Sequence, residues 1–267
     1  MYHAHWGFDE TPFRNSLDSR WFYQSPVHEE ALARLHFLVD ERRRLGLLLG
    51  DQGSGKSLLL TVFAEELSRQ GNQASRLSLM GLDRQEMLWT VAAELGMNPE
   101  RALPVGALWQ MLADRIAANR YQQLATVILL DDADQADAAV LAAVARLTQI
   151  ETAADSRLTV VVAAQPDGVK RLGRSLLERA ELRIDLGPWE PADTEAYLKT
   201  SLAQAGCSHP VFDDPAIDRL HELGQGIPRR ISQLADLALL AGAGRRLHQI
   251  DAETIDSVYR ELGVIEV

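Results

Sequence analysis

The chain has 267 residues, 46% of them hydrophobic and 24% charged, a balance that excludes general disorder and predicts a packed globular core. Lys and Arg total 27 against 38 Asp and Glu, a net charge of −11, which disfavours broad, sequence-independent nucleic-acid binding. The single Cys207 excludes an internal disulfide, and with neither a leader pattern nor a membrane-length apolar run the expectation is a cytoplasmic chain without direct membrane insertion.

Residues 1–27 carry Trp6, Phe8, Phe13, Trp21, Phe22 and Tyr23, more aromatic surface than water tolerates. They read as an N-terminal arm packed on the core. A helix over 28–44 follows, with Ala31, Leu32, Leu35, Leu38 and Val39 on its apolar face. Leu45–Leu49 is a short apolar run, as a buried parallel strand requires.

Gly50-Asp51-Gln52-Gly53-Ser54-Gly55-Lys56-Ser57 comes next and fits G-x-x-x-x-G-K-[ST], the phosphate-binding loop. The glycines let successive N–H groups turn inward into an anion nest. The helix read over 57–70, opening at Ser57-Leu58, adds the positive end of its dipole. Lys56 supplies a mobile cation for the β- and γ-phosphates, and Ser57 a hydroxyl for Mg2+. Gly50 to Leu58 are therefore the expected nucleotide-binding residues.

Beyond this loop, 74–80 reads as a strand, and 82–95 and 105–121 as helices around the turn Gly96-Met97-Asn98-Pro99. Thr126–Asp132 is a third strand, apolar until two closing carboxylates. Asp131, at the end of an apolar strand, is placed to reach the metal shell, and Asp132 to polarise the attacking water. Asp134 and Asp137 read as charges at the N-terminus of a helix over 136–150. A fourth strand, 158–164, ends at Gln165-Pro166, and a fifth covers 181–186. Alternation at this spacing predicts a parallel sheet with helices on both faces. Gly187-Pro188-Trp189-Glu190-Pro191 marks a boundary. After it come four helices, over 192–205, 214–224, 228–241 and 251–262, with Asp193 and Asp251 expected at N-caps and Pro228 in a first turn. The expected division is an arm over 1–27, an α/β nucleotide-binding domain over 28–188 and a small helical lid over 189–267.

These residues resemble the ExeA-like (general secretion pathway protein A) family of AAA+ ATPases. The likeness lies in Met1-Tyr2, Gly7-Phe8, Pro12-Phe13, Tyr23-Gln24-Ser25-Pro26 and His28-Glu29-Glu30-Ala31-Leu32. It continues through the phosphate loop, Ala164-Gln165-Pro166, Leu186-Gly187-Pro188 and Gly226-Ile227-Pro228-Arg229. The resemblance implies a P-loop AAA+ sheet with a helical lid, ATP and Mg2+ as cofactors, and self-association through the nucleotide interface. Gln165 would be the sensor near the γ-phosphate, Arg229 the lid arginine, and Arg179 the finger given to a neighbouring subunit, with Arg174 and Arg183 as rivals.

Two departures from the family matter. Asp131-Asp132 stands where Asp-Glu is usual, which predicts slow hydrolysis. The chain ends at Val267, so a role in a secretion or pilus assembly would need a separate membrane protein partner and a position peripheral to the inner membrane. Two alternatives stay open. One is a nucleotide-gated switch or scaffold with little hydrolysis. The other is a DNA-associated, transposition-helper-type ATPase, against which the acidic balance argues.

Overall fold

The computed structural model of the chain describes residues 2–14, 16–151, 153–207 and 209–262. Met1 of the resemblance pattern and residues 263–267 of the expected lid lie outside the described residues. Among these, α1 spans His3–Trp6 and α2 Pro26–Asp40. Then come β1 (Leu45–Gly50), α3 (Lys56–Arg69), β2 (Gln73–Ser78), α4 (Arg84–Glu94) and α5 (Val105–Tyr121). They are followed by β3 (Thr126–Asp131), α6 (Ala138–Leu147), β4 (Leu158–Ala164), α7 (Arg174–Leu177) and β5 (Leu182–Leu186). Four helices close the chain: α8 (Pro191–Gln204), α9 (Asp214–Gly224), α10 (Pro228–Arg245) and α11 (Ala252–Leu262).

By contacts the chain divides into two compact units. One comprises His28–Gln52 with Lys56–Leu186; the other comprises Met1–Val27, Gly53–Gly55 and Gly187–Val267. In the α/β unit the five strands are all parallel, in the order β2-β3-β4-β1-β5. The inner strands β3, β4 and β1 are buried at every position, which is why each reads as an unbroken apolar run. The edge strands β2 and β5 keep exposed positions, as edges with one open side do. The α2 helix approaches β1 at Gly46, where an added Cβ would lie 2.3 Å from Leu38 Cδ1.

Register places the chemistry. Leu49 pairs with Ala164, so Gly50 and Gln165 leave the sheet side by side. Ser78 pairs with Asp131, so β2 ends beside the two carboxylates. Ligands of open α/β sheets bind outside these carboxyl ends.

The helical unit packs α8 to α11 around Leu198, Leu220, Ile231, Leu239 and Ile255. Three of these four helices, α8, α9 and α11, have an acidic residue at the cap, and α10 has Ile227. Asp213 accepts from Ala216 N–H and Asp251 from Thr254 N–H. Asp193 is not the N-cap expected of it. It lies inside the first turn of α8, where its carboxylate accepts from the Glu190 N–H at 3.0 Å, so Glu190 is the capping position because Pro191 starts the helix.

The arm belongs, by its contacts, to this helical unit. Trp6 is 1% exposed, and its indole N–H donates to Leu239 O at 2.9 Å. An added Cβ on Gly242 of α10 would lie 2.9 Å from the Trp6 ring, so the glycine makes room for it. Phe13 packs on Tyr197 and Phe212, and Tyr23 meets Trp189 edge-on at 5.6 Å. A buried aromatic side chain contributes wherever apolar surface is free, and four amphipathic helices leave more of it than a sheet already covered by its own helices.

Candidate functional site

The loop after β1 turns as its glycines require. Gly53 and Gly55 adopt φ of 86° and 96°, a region that side chains other than glycine rarely enter. Lys56 opens the fourteen-residue α3, so its ammonium and the Ser57 hydroxyl start at the positive end of a full helix. The Lys56 ammonium donates to Gly50 O at 2.6 Å and to Asp51 O at 3.0 Å.

Asp131 is 2% exposed. Burial pushes its carboxyl above the ordinary range, and repulsion from Asp132 adds to that. A hydrogen bond with Ser57, the Asp132 N–H and attraction to Lys56 oppose the shift. Burial likewise lowers the Lys56 ammonium, against attraction from Asp131, Asp132, Asp134 and Asp51. One buried cation thus faces four carboxylates.

The donor set fits a divalent metal: a hydroxyl at the start of α3 and a buried carboxylate whose charged form Ser57 favours, inside an acidic surround. Among the described residues no group of three or more His, Cys, Asp or Glu could hold a metal, so an all-protein cage is not what this site offers, and Mg2+ seldom uses one.

The structure brings Asp132 to the same place by an unusual backbone. Its φ is 52°, left-handed, which Asp tolerates better than most. Its Oδ2 accepts from the Ser78 hydroxyl at 2.7 Å. The sequence reading missed Ser78, and its only signal was the position at the end of the strand after α3.

Asp134 also differs from its reading as a helix-terminal charge. Asp137 alone caps α6, accepting from Val140 N–H. Asp134 sits in a tight turn, Ala133–Gln135, is 6% exposed, and accepts from the Gln165 N–H at 3.2 Å. Gly168 lies so close that an added Cβ would be 2.3 Å from Asp134 Cβ. Asp134 therefore joins the end of β3 to the end of β4.

Within the helical unit, which by contact includes Gly53–Gly55, the Arg229 N–H donates to Gly53 O at 3.2 Å. Arg229 follows Pro228 in the first turn of α10. Arg179 is exposed in the segment between α7 and β5. Its rivals are engaged, Arg174 with Glu178 and Arg183 with Asp185. Among the described residues Arg179 has no carboxylate partner.

A five-stranded parallel sheet with a phosphate loop after β1 and carboxylates after β3 defines a P-loop AAA+ ATPase. Residues 39–172 match the family model described as AAA domain, and the chain belongs to that family. It is similar to General secretion pathway protein A of Aeromonas hydrophila, 31% identical over 94% of this chain and 46% of that protein. It is 26% identical to the Replication factor C small subunit of Staphylothermus marinus, over 88% of this chain and 61% of the other. The chain thus spans about half the length of the first curated relative and less than two thirds of the second. Among solved structures, the Aeropyrum pernix ORC1 protein in complex with DNA shares the fold at a TM-score of 0.70 with 20% identity, over 94% of this chain and 68% of that one.

Proposed function

We propose that the chain binds Mg·ATP at the phosphate loop and hydrolyses it. The observation that carries this reading is the buried Asp131 carboxylate at the end of β3 together with the Lys56 ammonium, buried against Gly50 O and Asp51 O, and Ser57 beside it in the first turn of α3. Gly50 to Leu58 would hold the triphosphate, and Ser57 and Asp131 would hold the metal, which would supply charge neutralisation during phosphoryl transfer. Asp132 and Gln165 orient the attacking water. Arg229 takes the role of the lid arginine, since a cation that meets the γ-phosphate only in the ATP state gives that state its differential affinity. Arg179 of a neighbouring subunit completes the site, so specific activity rises with protein concentration. The similarity to General secretion pathway protein A supports work on a protein assembly of a secretion or pilus system, through a membrane partner and from the cytoplasmic side.

Calorimetry with Mg·ATP, followed by a single-turnover assay, tests the reading. Binding and cleavage are expected. No heat of association with folded protein overturns it.

Tight binding with ATP intact over hours would instead establish the switch reading, which the Ser78 hold on Asp132 favours. The DNA-associated reading draws on the DNA complex of ORC1 and the Replication factor C similarity. It requires steeply salt-dependent DNA binding in the presence of ATP, which the net charge of −11 opposes.

A further inference from the structure

We propose that a groove between α5, α6 and residues 171–176 docks an acidic, apolar-faced peptide segment of a partner protein. The groove lies wholly within the α/β unit, opens to solvent and has a volume of about 830 Å³.

Missing side-chain volume creates it. Gly106 and Ala113 line it from α5, and Ala138 and Ala142 from α6. An added Cβ at Gly106 or at Gly173 would meet nothing within 4 Å. Leu141 and Trp109 supply apolar lining, both mostly buried. The spacing of small residues on two neighbouring helices leaves a trough of the kind that receives an amphipathic helix.

Charge selects the occupant. Arg146, Arg171 and Arg174 line the groove and no carboxylate does, although carboxylates outnumber Lys and Arg 38 to 27 in the chain. The Arg146 guanidinium carbon sits over Trp109, 4.3 Å from the ring centroid, which holds a cation at the edge of the apolar floor. Neither Arg146 nor Arg171 has a carboxylate partner among the described residues, and Arg174 is held by Glu178 at the exposed side. Unpaired guanidiniums at an apolar trough favour a partner bearing carboxylates beside leucine-like side chains.

The test is selection of a phage-displayed random-peptide library on the full chain. Enriched peptides should carry Asp or Glu interleaved with large apolar residues and compete with one another. Two substitutions then locate them: Ala142→Trp, which fills the trough from an exposed position, and Arg171→Glu, which reverses one rim charge. Each should weaken binding about tenfold, and added salt should weaken it further, with circular dichroism melts unchanged. Failure to enrich any peptide, enrichment of neutral or basic ones, or affinity indifferent to both substitutions overturns the proposal. So does loss of self-association by Ala142→Trp in sedimentation velocity, since the occupant would then be a second copy of the chain. Nucleotide binding plays no part in any of these readouts.

Discussion

Both units of this chain bury an apolar core, and they differ in what else they bury. The α/β unit buries charge: Lys56 at 8% exposure and Asp131 at 2%, with Asp134 behind them. Burial works against both Lys56 and Asp131 in their charged forms. The helical unit buries aromatic and aliphatic surface and takes Trp6, Phe8 and Phe13 from the start of the sequence into that core. The first arrangement is kept for what it can bind, at a cost in stability. The second has only packing to recommend it. Substitutions in the two units should therefore separate function from stability.

The largest effect should come from Trp6→Ala. It removes a fully buried ring and the hydrogen-bond donor to Leu239 O, and should cost about 3–5 kcal/mol, read as a lowered urea midpoint. A loss below about 1 kcal/mol would show that the arm rests on the helical core without supporting it. Lys56→Ala should do the reverse. Turnover should fall on the order of 10²–10³, while thermal stability without nucleotide should change little, because the relief of a desolvated cation offsets the counter-charge lost to the carboxylates around it. A drop in melting temperature would mean that the contacts to Gly50 O and Asp51 O hold the loop together.

What the sequence revealed follows the same division. β1, β3 and β4 are legible because both their faces are covered, so each is a continuous apolar run bounded by turn residues. The phosphate loop is legible because its glycines are needed at fixed offsets, and φ at Gly53 and Gly55 bears that out. Ser78 was not legible. It closes an edge strand, Gln73-Ala74-Ser75-Arg76-Leu77-Ser78, whose mixed polarity marks nothing, and only register with β3 brings it to Asp132. Asp134 was misread because an acidic run before a helix looks alike whether one residue caps or three do. The tight turn at 133–135 sends Asp134 inward and leaves Asp137 to cap. Of the arm's aromatics Trp6, Phe8 and Phe13 are buried, while Trp21, Phe22 and Tyr23 are only half-buried, and since burial has no direction in sequence the core that takes them was not legible.

Asp134 offers a finer test of how the α/β unit uses its buried charge. Asp134→Ala should release the Gln165 peptide and slow turnover about tenfold to a hundredfold through misplacement, with ATP affinity nearly unchanged. Asp134→Asn, which keeps an acceptor oxygen, should restore most of it. Equal losses in both variants would assign Asp134 to charge balance around Lys56 instead. A smaller change is expected at Asp132. Asp132→Glu adds the methylene by which this residue falls short of the family's usual acid, and should speed turnover. No change or a loss would remove Asp132 as the residue that holds the water.

The smallest effect should be the pH dependence of Asp131→Asn. The carboxyl of Asp131 is raised above its ordinary value by burial, so folding favours its protonated form. Its contribution to stability is therefore fully present below the ordinary carboxylate pKa of about 3.9 and is lost as pH rises through the raised folded-state value. Near pH 7 the ionised group weakens the fold, whereas asparagine is neutral throughout. Without nucleotide or metal, Asp131→Asn should melt higher than the parent near neutrality, by roughly 2–4 °C for each kcal/mol relieved in a chain of this size. The gap should close as pH falls towards the ordinary carboxylate range. A variant that melts lower at pH 7 would show that attraction between Asp131 and Lys56 outweighs the burial of both. The contrast between buried charge in one unit and buried aromatic rings in the other would then have to be redrawn around that pair.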